Sequence, residues 1–290
     1  LVIFDAGRVT FRNDIYPEYK QNRTDPPDEI VPQFSLVRDA TEAMSLPVTE
    51  LPGFEADDLI ASYAKMAHES GTDCLIVSSD KDLMQLVRPG VTMLDPMKQR
   101  RISDAEVVEK FGVLPNRVVD VQSLAGDSTD NVPGVPGIGI KTAAELINQF
   151  GDLDSLLAGA ETIKQPKRRE NLVNFAEQAR ISRELVRLKD DVPLDNNIAS
   201  LVRPHRDMDR LSAFLSDQGF NSLLASIGAK NTASQRTVPT SGKPDSASPF
   251  GAILPPHVEA LSYELVTTSD ALIRWIDEAR SQGFIAIDTE

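Results

Sequence analysis

Eight acidic residues fall in four short, separated segments: Asp5; Glu55, Asp57 and Asp58; Asp80 and Asp82; Asp127 and Asp130. Carboxylates brought within a few ångströms raise one another's pKa unless a cation neutralises them. A ligand set of oxygen alone, without Cys or His, suits Mg²⁺ or Mn²⁺. Two such ions, roughly 3.5–4 Å apart, activate water and stabilise both oxygens of a phosphodiester displacement. Each segment by itself has a plainer reading. Glu55 and Asp58 are i,i+3 neighbours where a helix start favours acids. Asp80-x-Asp82 suits a turn or cap, and Asp127-x-x-Asp130 a loop. Taken together, the four segments point to a metal cluster. An EF-hand is excluded, because no D-x-[DN]-x-[DN]-G run with a glutamate at the twelfth position is present.

The segment from Gly126 to Thr142 holds both Asp127 and Asp130 and then Pro136-Gly137-Ile138-Gly139-Ile140-Lys141-Thr142. Two helices joined by a Gly-Ile-Gly hairpin leave backbone N–H groups exposed, and the second helix brings its positive dipole end beside Lys141 and Thr142. Such a turn grips a nucleic-acid backbone without reading bases. The plainer alternative is a tight helical turn with structural glycines. A Walker loop is excluded by spacing.

Residues 164–189 carry eight basic and three acidic side chains. Arg180, Arg183 and Arg187 follow i, i+3, i+7 spacing, either a duplex-backbone contact or a solvated helix face. Tyr16, Tyr19, Lys20 and Arg23 mix aromatics with cations, a pattern that can stack on a single-stranded base and hold its phosphate.

These side chains need a scaffold. Residues 1–4 read as a short strand and 10–12 as a second; 28–44 and 55–68 read as helices, 73–77 as a strand, 80–87 as a short helix and 91–94 as a strand. Strands alternating with helices predict an α/β fold with a parallel sheet. Asp5 and Asp80 then lie at C-terminal strand ends, where ligands bind. Ser103 and Glu106 form a capping box for a helix over 105–111, and further helices are expected over 116–124, 141–150, 168–188, 207–215 and 220–227. Residues 230–256 are rich in Ser, Thr, Pro and Gly and read as a linker. Beyond it, 263–266, 269–280 and 284–287 read strand, helix, strand, the start of a second α/β domain.

Composition narrows the classes. The chain has 290 residues, of which 41% are hydrophobic and 26% charged, enough for a sizeable core in one or two domains. No apolar run approaches the roughly 18 residues of a membrane span. One cysteine excludes a disulfide framework and fits a reducing compartment; with only three histidines, a structural zinc cluster is excluded as well. Thirty Lys and Arg against 44 Asp and Glu leave −14, a charge that repels nucleic acid unless it is segregated. Eight of those acids are the candidate ligands, and the densest cationic cluster is 164–189.

The motifs resemble a known family. Phe4-Asp5-Ala6, Thr10-Phe11-Arg12, Tyr19-Lys20-x-x-Arg23, Glu55-Ala56-Asp57-Asp58, Ser79-Asp80-Lys81-Asp82, Gly126-Asp127-x-x-Asp130-Asn131 and Pro136-Gly137-Ile138-Gly139-x-Lys141-Thr142-Ala143 occur in the order and near the spacing of the N-terminal 5′-nuclease domains of bacterial DNA polymerases I, relatives of the flap endonucleases. The likeness runs from residue 1 to about 228. It implies a PIN-like 5′-nuclease core over 1–100, a helix-hairpin-helix DNA-binding subdomain over 101–228, a flexible linker over 229–258 and a second domain from 259 to 290. It also implies that the eight acids form or support the divalent-metal cluster, and that Lys20 faces the scissile phosphate, flanked by Tyr19 and Arg23. Gly137, Gly139, Lys141 and Thr142 would grip the duplex, with a monovalent cation as a further candidate at the hairpin.

Asp288-x-Glu290 resembles the first metal-binding motif of a 3′→5′ exonuclease, an RNase H-like fold. The implied partner is DNA with 5′ flaps, nicks or primer 5′ ends, cleaved by a monomeric bacterial cytoplasmic enzyme in a parent chain that also synthesises DNA. The rival readings are a stand-alone 5′-nuclease and a non-catalytic DNA-structure-binding module. The family begins with a further strand carrying a ligand Asp, whereas Leu1 opens on a strand already under way. The expectation is therefore a fragment that folds poorly or is nearly inactive alone.

Overall fold

The computed structural model describes residues 1–194, 197–202, 204–234, 268 and 273–277. The chain divides into two compact units, Leu1–Ala233 and Ser234–Glu290. In the second, residues 273–277 are helical, within the helix expected over 269–280. The linker expected from 229 is corrected at its start, because residues 229–234 continue a helix; the rest of it, the strands expected over 263–266 and 284–287, and Asp288 and Glu290 lie outside the described residues. No helix among the described residues is long and apolar enough to cross a membrane.

The first unit opens with β1 (Val2–Ile3), α1 (Phe11–Ile15), α2 (Gln33–Ala43), β2 (Val48–Thr49), α3 (Ala56–Glu69) and β3 (Cys74–Val77). A 3₁₀ turn over Asp82–Leu86 leads to β4 (Val91–Asp95), β5 (Arg100–Ile102) and α4 (Asp104–Phe111). The helical half follows: α5 (Val118–Ala125), α6 (Ile140–Phe150), α7 (Leu153–Ala158), α8 (Pro166–Asn174), α9 (Ala176–Val186), α10 (Met208–Asp217) and α11 (Asn221–Ser234).

In place of one parallel sheet there are two small ones. β1 pairs in parallel with β2, while β3 pairs in parallel with β4, and β5 adds antiparallel to β4. The antiparallel strand arises because Asp95 turns the chain: its buried carboxylate accepts from the N–H groups of Met97 and Lys98 at 3.0 and 3.1 Å. β3 is an edge of its sheet, and its Leu75 and Val77 are exposed.

Two other expectations are corrected. Residues 10–12 are not a strand: Asn13 Oδ1 accepts from the Thr10 N–H at 2.9 Å and starts α1. The helix expected over 168–188 is two helices, because Phe175 leaves helical geometry at φ −111°, ψ 21°. No Gly or Pro stands at that break. The capping box at Ser103 and Glu106 forms, and Gly71, at φ 70°, follows the end of α3.

One hydrophobic cluster runs through both halves. Val91 and Met93 of β4, Phe111 of α4, Leu124 of α5, Ile147 of α6 and Leu172 of α8 all belong to it and are at most 1% exposed. Fully burying side chains of this size stabilises the fold by about 1.5–3 kcal/mol each. The helical half therefore shares its core with the sheet, with Ala61 of α3, Ile76 of β3 and Ala179 of α9 in the same cluster.

Candidate metal centre

The N-terminus of α3 is built around Asp58. Glu55 is the N-cap, and its backbone N–H donates to Asp58 Oδ2 at 3.1 Å. Arg12 of α1 binds the same carboxylate at two points, both 2.7 Å, and the Lys189 N–H donates to it at 2.9 Å. Both Arg12 and Asp58 are buried. Arg12 also donates to the carbonyls of Leu185 and Arg187, at 2.8 and 3.3 Å. Burial opposes the Arg12 charge, but the hydrogen-bonded Asp58 outweighs it and drives the guanidinium pKa up. With its oxygens committed to these donors, Asp58 ties α1, α3 and the end of α9 together.

Glu55 faces the other way. Its carboxylate accepts from Lys20 Nζ at 2.8 Å and from the Tyr19 hydroxyl at 3.4 Å. Lys20 adopts a left-handed φ of 56°, and its N–H donates to the Asp130 carbonyl at 3.0 Å. Arg23 pairs with Asp130 Oδ1. Asn22 donates to the Ser128 carbonyl at 2.7 Å, and Asn131 to that of Glu18 at 2.6 Å. Residues 18–23 are thus zipped onto the loop carrying Asp127 and Asp130.

That loop is a tight hairpin. Asp127 and Val132 exchange backbone hydrogen bonds at 2.9 and 2.7 Å. Gly126 and Gly134 sit back to back with φ of 69° and 60°. A Cβ at Gly134 would lie 2.4 Å from the Gly126 nitrogen, and one at Gly126 2.6 Å from the Val132 oxygen. Only glycine fits at either position. α9 holds the hairpin through Ser182, which accepts from the Gly134 N–H at 3.0 Å, and Gln178, which donates to the Gly134 carbonyl at 2.6 Å.

The third wall is the 3₁₀ turn after β3. Just before it, Asp80 accepts from the Asp82 N–H at 2.9 Å, Lys81 pairs with Asp127, and Gln122 of α5 donates to Asp82 Oδ1 at 2.5 Å. Glu55, Asp57, Asp82, Asp127 and Asp130 line one cleft. Asp5 and Asp80 stand outside that lining; Asp5 accepts from the Ala56 N–H at 2.7 Å, at the start of α3.

The electrostatics report crowded carboxylates. Burial, then Asp80, Glu55 and Asp5, push Asp57 up to about 7. Burial and Asp80 push Asp82 up to about 6. Burial would also raise Asp127, but the Lys81 ammonium and the Thr129 N–H outweigh it and hold its pKa down. Among the described residues no three acids converge closely enough to hold one ion as they stand; Lys20, Lys81 and Arg23 are drawn onto them. An all-oxygen donor set with an unbalanced excess of negative charge fits hard divalent cations.

The other candidates are placed as follows. Tyr19 is 6% exposed and packed with Val132, Leu185 and Val186, so its ring is a cleft wall and not a platform for a base. Gly137 (φ 76°) and Gly139, the N-cap of α6, are exposed beside exposed Lys141 and half-buried Thr142. Asn171 steadies this turn by donating to the Pro136 carbonyl at 2.7 Å. The three arginines do not make one helical stripe: Arg180 pairs with Glu177 and Arg183 with Asp154, while Arg187 lies past the end of α9 in extended geometry. Sequence reasoning missed Arg12 as a functional support and Gln122 entirely. Both partner residues 40 or more positions away, so no local spacing signals them.

Comparison with known proteins identifies the family. The family model described as the 5′-3′ exonuclease, N-terminal resolvase-like domain matches residues 1–112, and that of the 5′-3′ exonuclease, C-terminal SAM fold, matches residues 113–209. The chain is 40% identical over 341 residues to DNA polymerase I of Rhizobium leguminosarum, covering 100% of this chain and 34% of that protein. It is 37% identical over 234 residues to DNA polymerase I of Bacillus subtilis (strain 168), covering 79% of this chain and 26% of that one. The chain thus spans about a third or less of the length of these curated relatives. Among solved structures, it resembles T5 5′-exonuclease with bound divalent metal ions (zinc), at TM-score 0.60 and 26% identity over 74% of this chain and 81% of that one. It also resembles the bacteriophage T5 D15 flap endonuclease in a pseudo-enzyme-product complex with DNA and metal ions, at TM-score 0.59 and 26% identity over 74% and 81%.

Proposed function

The chain belongs to the 5′-3′ exonuclease family, and from that premise we propose that it hydrolyses DNA phosphodiesters at 5′ ends and 5′ flaps with Mg²⁺ or Mn²⁺. The observation that carries this reading is the convergence of Glu55, Asp57, Asp82, Asp127 and Asp130 on one cleft, edged by Lys20 and Lys81. A pure DNA-binding module gains nothing from five carboxylates that repel phosphate.

Glu55, Asp57, Asp82, Asp127 and Asp130 would hold the divalent ions, with Asp5 and Asp80 beside them. Divalent ions held there would supply water activation and charge stabilisation for phosphodiester hydrolysis. Lys20, held 2.8 Å from Glu55 at the cleft edge, carries a positive charge suited to the scissile phosphate. Gly137, Gly139, Lys141 and Thr142 present backbone N–H groups and a cation to the duplex backbone, where a monovalent cation would also fit. Arg180 and Arg187 extend that contact. The substrates proposed are flaps, nicks and primer 5′ ends on cytoplasmic DNA, cut by a monomer. Relatives named DNA polymerase I lead us to place this activity in a protein that also synthesises DNA.

The test is cleavage of a 5′-flap duplex with Mg²⁺ by the parent protein and by Asp127→Asn. Loss of cleavage with retained duplex binding is expected. Undiminished cleavage by Asp127→Asn overturns the metal-site reading.

A further inference from the structure

Asp82 is held twice, by two different glutamines. Its main chain is gripped by Gln85, which donates from Nε2 to the Asp82 carbonyl at 2.9 Å and to that of Val186 at 3.0 Å, and accepts from the Leu188 N–H at 3.0 Å. Its side chain is gripped by Gln122, whose Nε2 donates to Oδ1 at 2.5 Å. The backbone position of the turn is therefore set without Gln122, and what Gln122 adds is the rotation of the carboxylate.

Packing does not account for a glutamine here. Gln122 is 3% exposed, and its Oε1 is buried without a hydrogen-bond partner. An unpaired buried acceptor costs about 1–3 kcal/mol. A methionine would fill a similar volume without that cost. The amide orientation follows from its partner, since an ionised carboxylate only accepts. Asp82 lines the acidic cleft alongside Asp127.

We propose that Gln122 is a positioning residue: it locks the Asp82 rotamer through Oδ1 and leaves Oδ2 to the cleft as the ligand oxygen. The inference rests on the reading of Asp82 as a metal ligand. Partners that orient ligating carboxylates affect metal affinity by about 10–100-fold when removed.

The experiment measures Mn²⁺ binding to the intact protein by calorimetry, with no DNA present, for the parent, Gln122→Met, Gln122→Asn and Asp82→Asn. Met keeps the volume and loses the donor; Asn keeps the amide but is one methylene too short to reach. Thermal midpoints identify which Gln122 variant is folded. The expected result is a Kd for Mn²⁺ weakened about 10-fold or more in the folded Gln122 variants. Half-saturating Mg²⁺ for flap cleavage should rise in proportion, while kcat at saturating Mg²⁺ changes less. A purely structural role would lower the thermal midpoint and leave the metal titration in place. Mn²⁺ affinity within twofold of the parent in a folded Gln122 variant overturns the proposal. If Asp82→Asn weakens Mn²⁺ binding in that case, only the positioning role fails. If Asp82→Asn also leaves it unchanged, the ligand reading of Asp82 fails with it.

Discussion

Arg12 and Asp58, 46 residues apart in sequence, meet in a two-point ion pair of 2.7 Å at each contact, with side-chain exposures of 1% and 0%. The pair ties α1 to the first turn of α3 and, through the carbonyls of Leu185 and Arg187, to the end of α9. Three elements that carry cleft residues are thereby locked by one guanidinium.

Breaking that pair on one side leaves a buried charge without its counter-ion, which costs about 3–5 kcal/mol. Arg12→Met is expected to lower unfolding stability by that amount, read from urea denaturation at constant m-value. Arg12→Met combined with Asp58→Leu should lose less than the sum of the two single variants, because no lone charge remains. Additive losses would contradict the account.

Gly134→Ala forces a Cβ to 2.4 Å from the Gly126 nitrogen at φ 60°. A left-handed non-glycine residue costs about 1–2 kcal/mol and overpacking about 1–3 more. The variant should lose flap cleavage by displacing Asp127 and Asp130. Gly139→Ala, where a Cβ meets nothing within 4 Å, should lose less, since only the N-cap of α6 is weakened. Equal midpoints for the two variants would count against the back-to-back packing.

Lys20→Met removes the ammonium 2.8 Å from Glu55. Losing one preorganised charge at a reacting phosphate costs about 10²–10³ in kcat. The expected pattern is a fall of that order in single-turnover cleavage, with flap-DNA affinity in Ca²⁺ nearly unchanged. A variant that loses affinity and keeps its rate would assign Lys20 to binding instead.

The Ser103 hydroxyl and the backbone N–H groups of Ser103 and Glu106 hold the Glu106 carboxyl down from 4.5 to about 2. A carboxyl depressed in the folded state contributes stability above pH 4.5 that is lost as pH falls from 4.5 towards 2. Glu106→Gln, which still satisfies the capping box, should flatten that part of the urea-midpoint curve relative to the parent. Parallel curves between pH 5 and about 2.5 would refute the assignment.

Much of the α/β half was readable from the sequence, because its signals are local. Apolar periodicity marks α3 and the runs that become β3 and β4, and Ser103 with Glu106 announces the start of α4. The break at Phe175 has no breaker residue and follows from the pairing of α8 and α9 with different neighbours. β5 depends on the turn that Asp95 makes with its own backbone, and two-residue strands such as β2 are too short for any alternation to be read.

The acids stand out in the sequence likewise, because eight carboxylates in four segments, without Cys or His, suit hard-cation binding, and five of them line one cleft. Their division of labour was decided by the tertiary structure. Asp57 and Asp58 are neighbours of the same type, yet one lines the cleft with its pKa raised to about 7 and the other is sealed against Arg12. Tyr19, which reads as a stacking aromatic, becomes a buried wall. Gln122 carries no pattern at all until α5 brings it to Asp82. Residue type limits which reactions are possible. Burial and the partners brought in from distant segments determine which oxygen is desolvated, which is paired, and which is left to bind a metal ion.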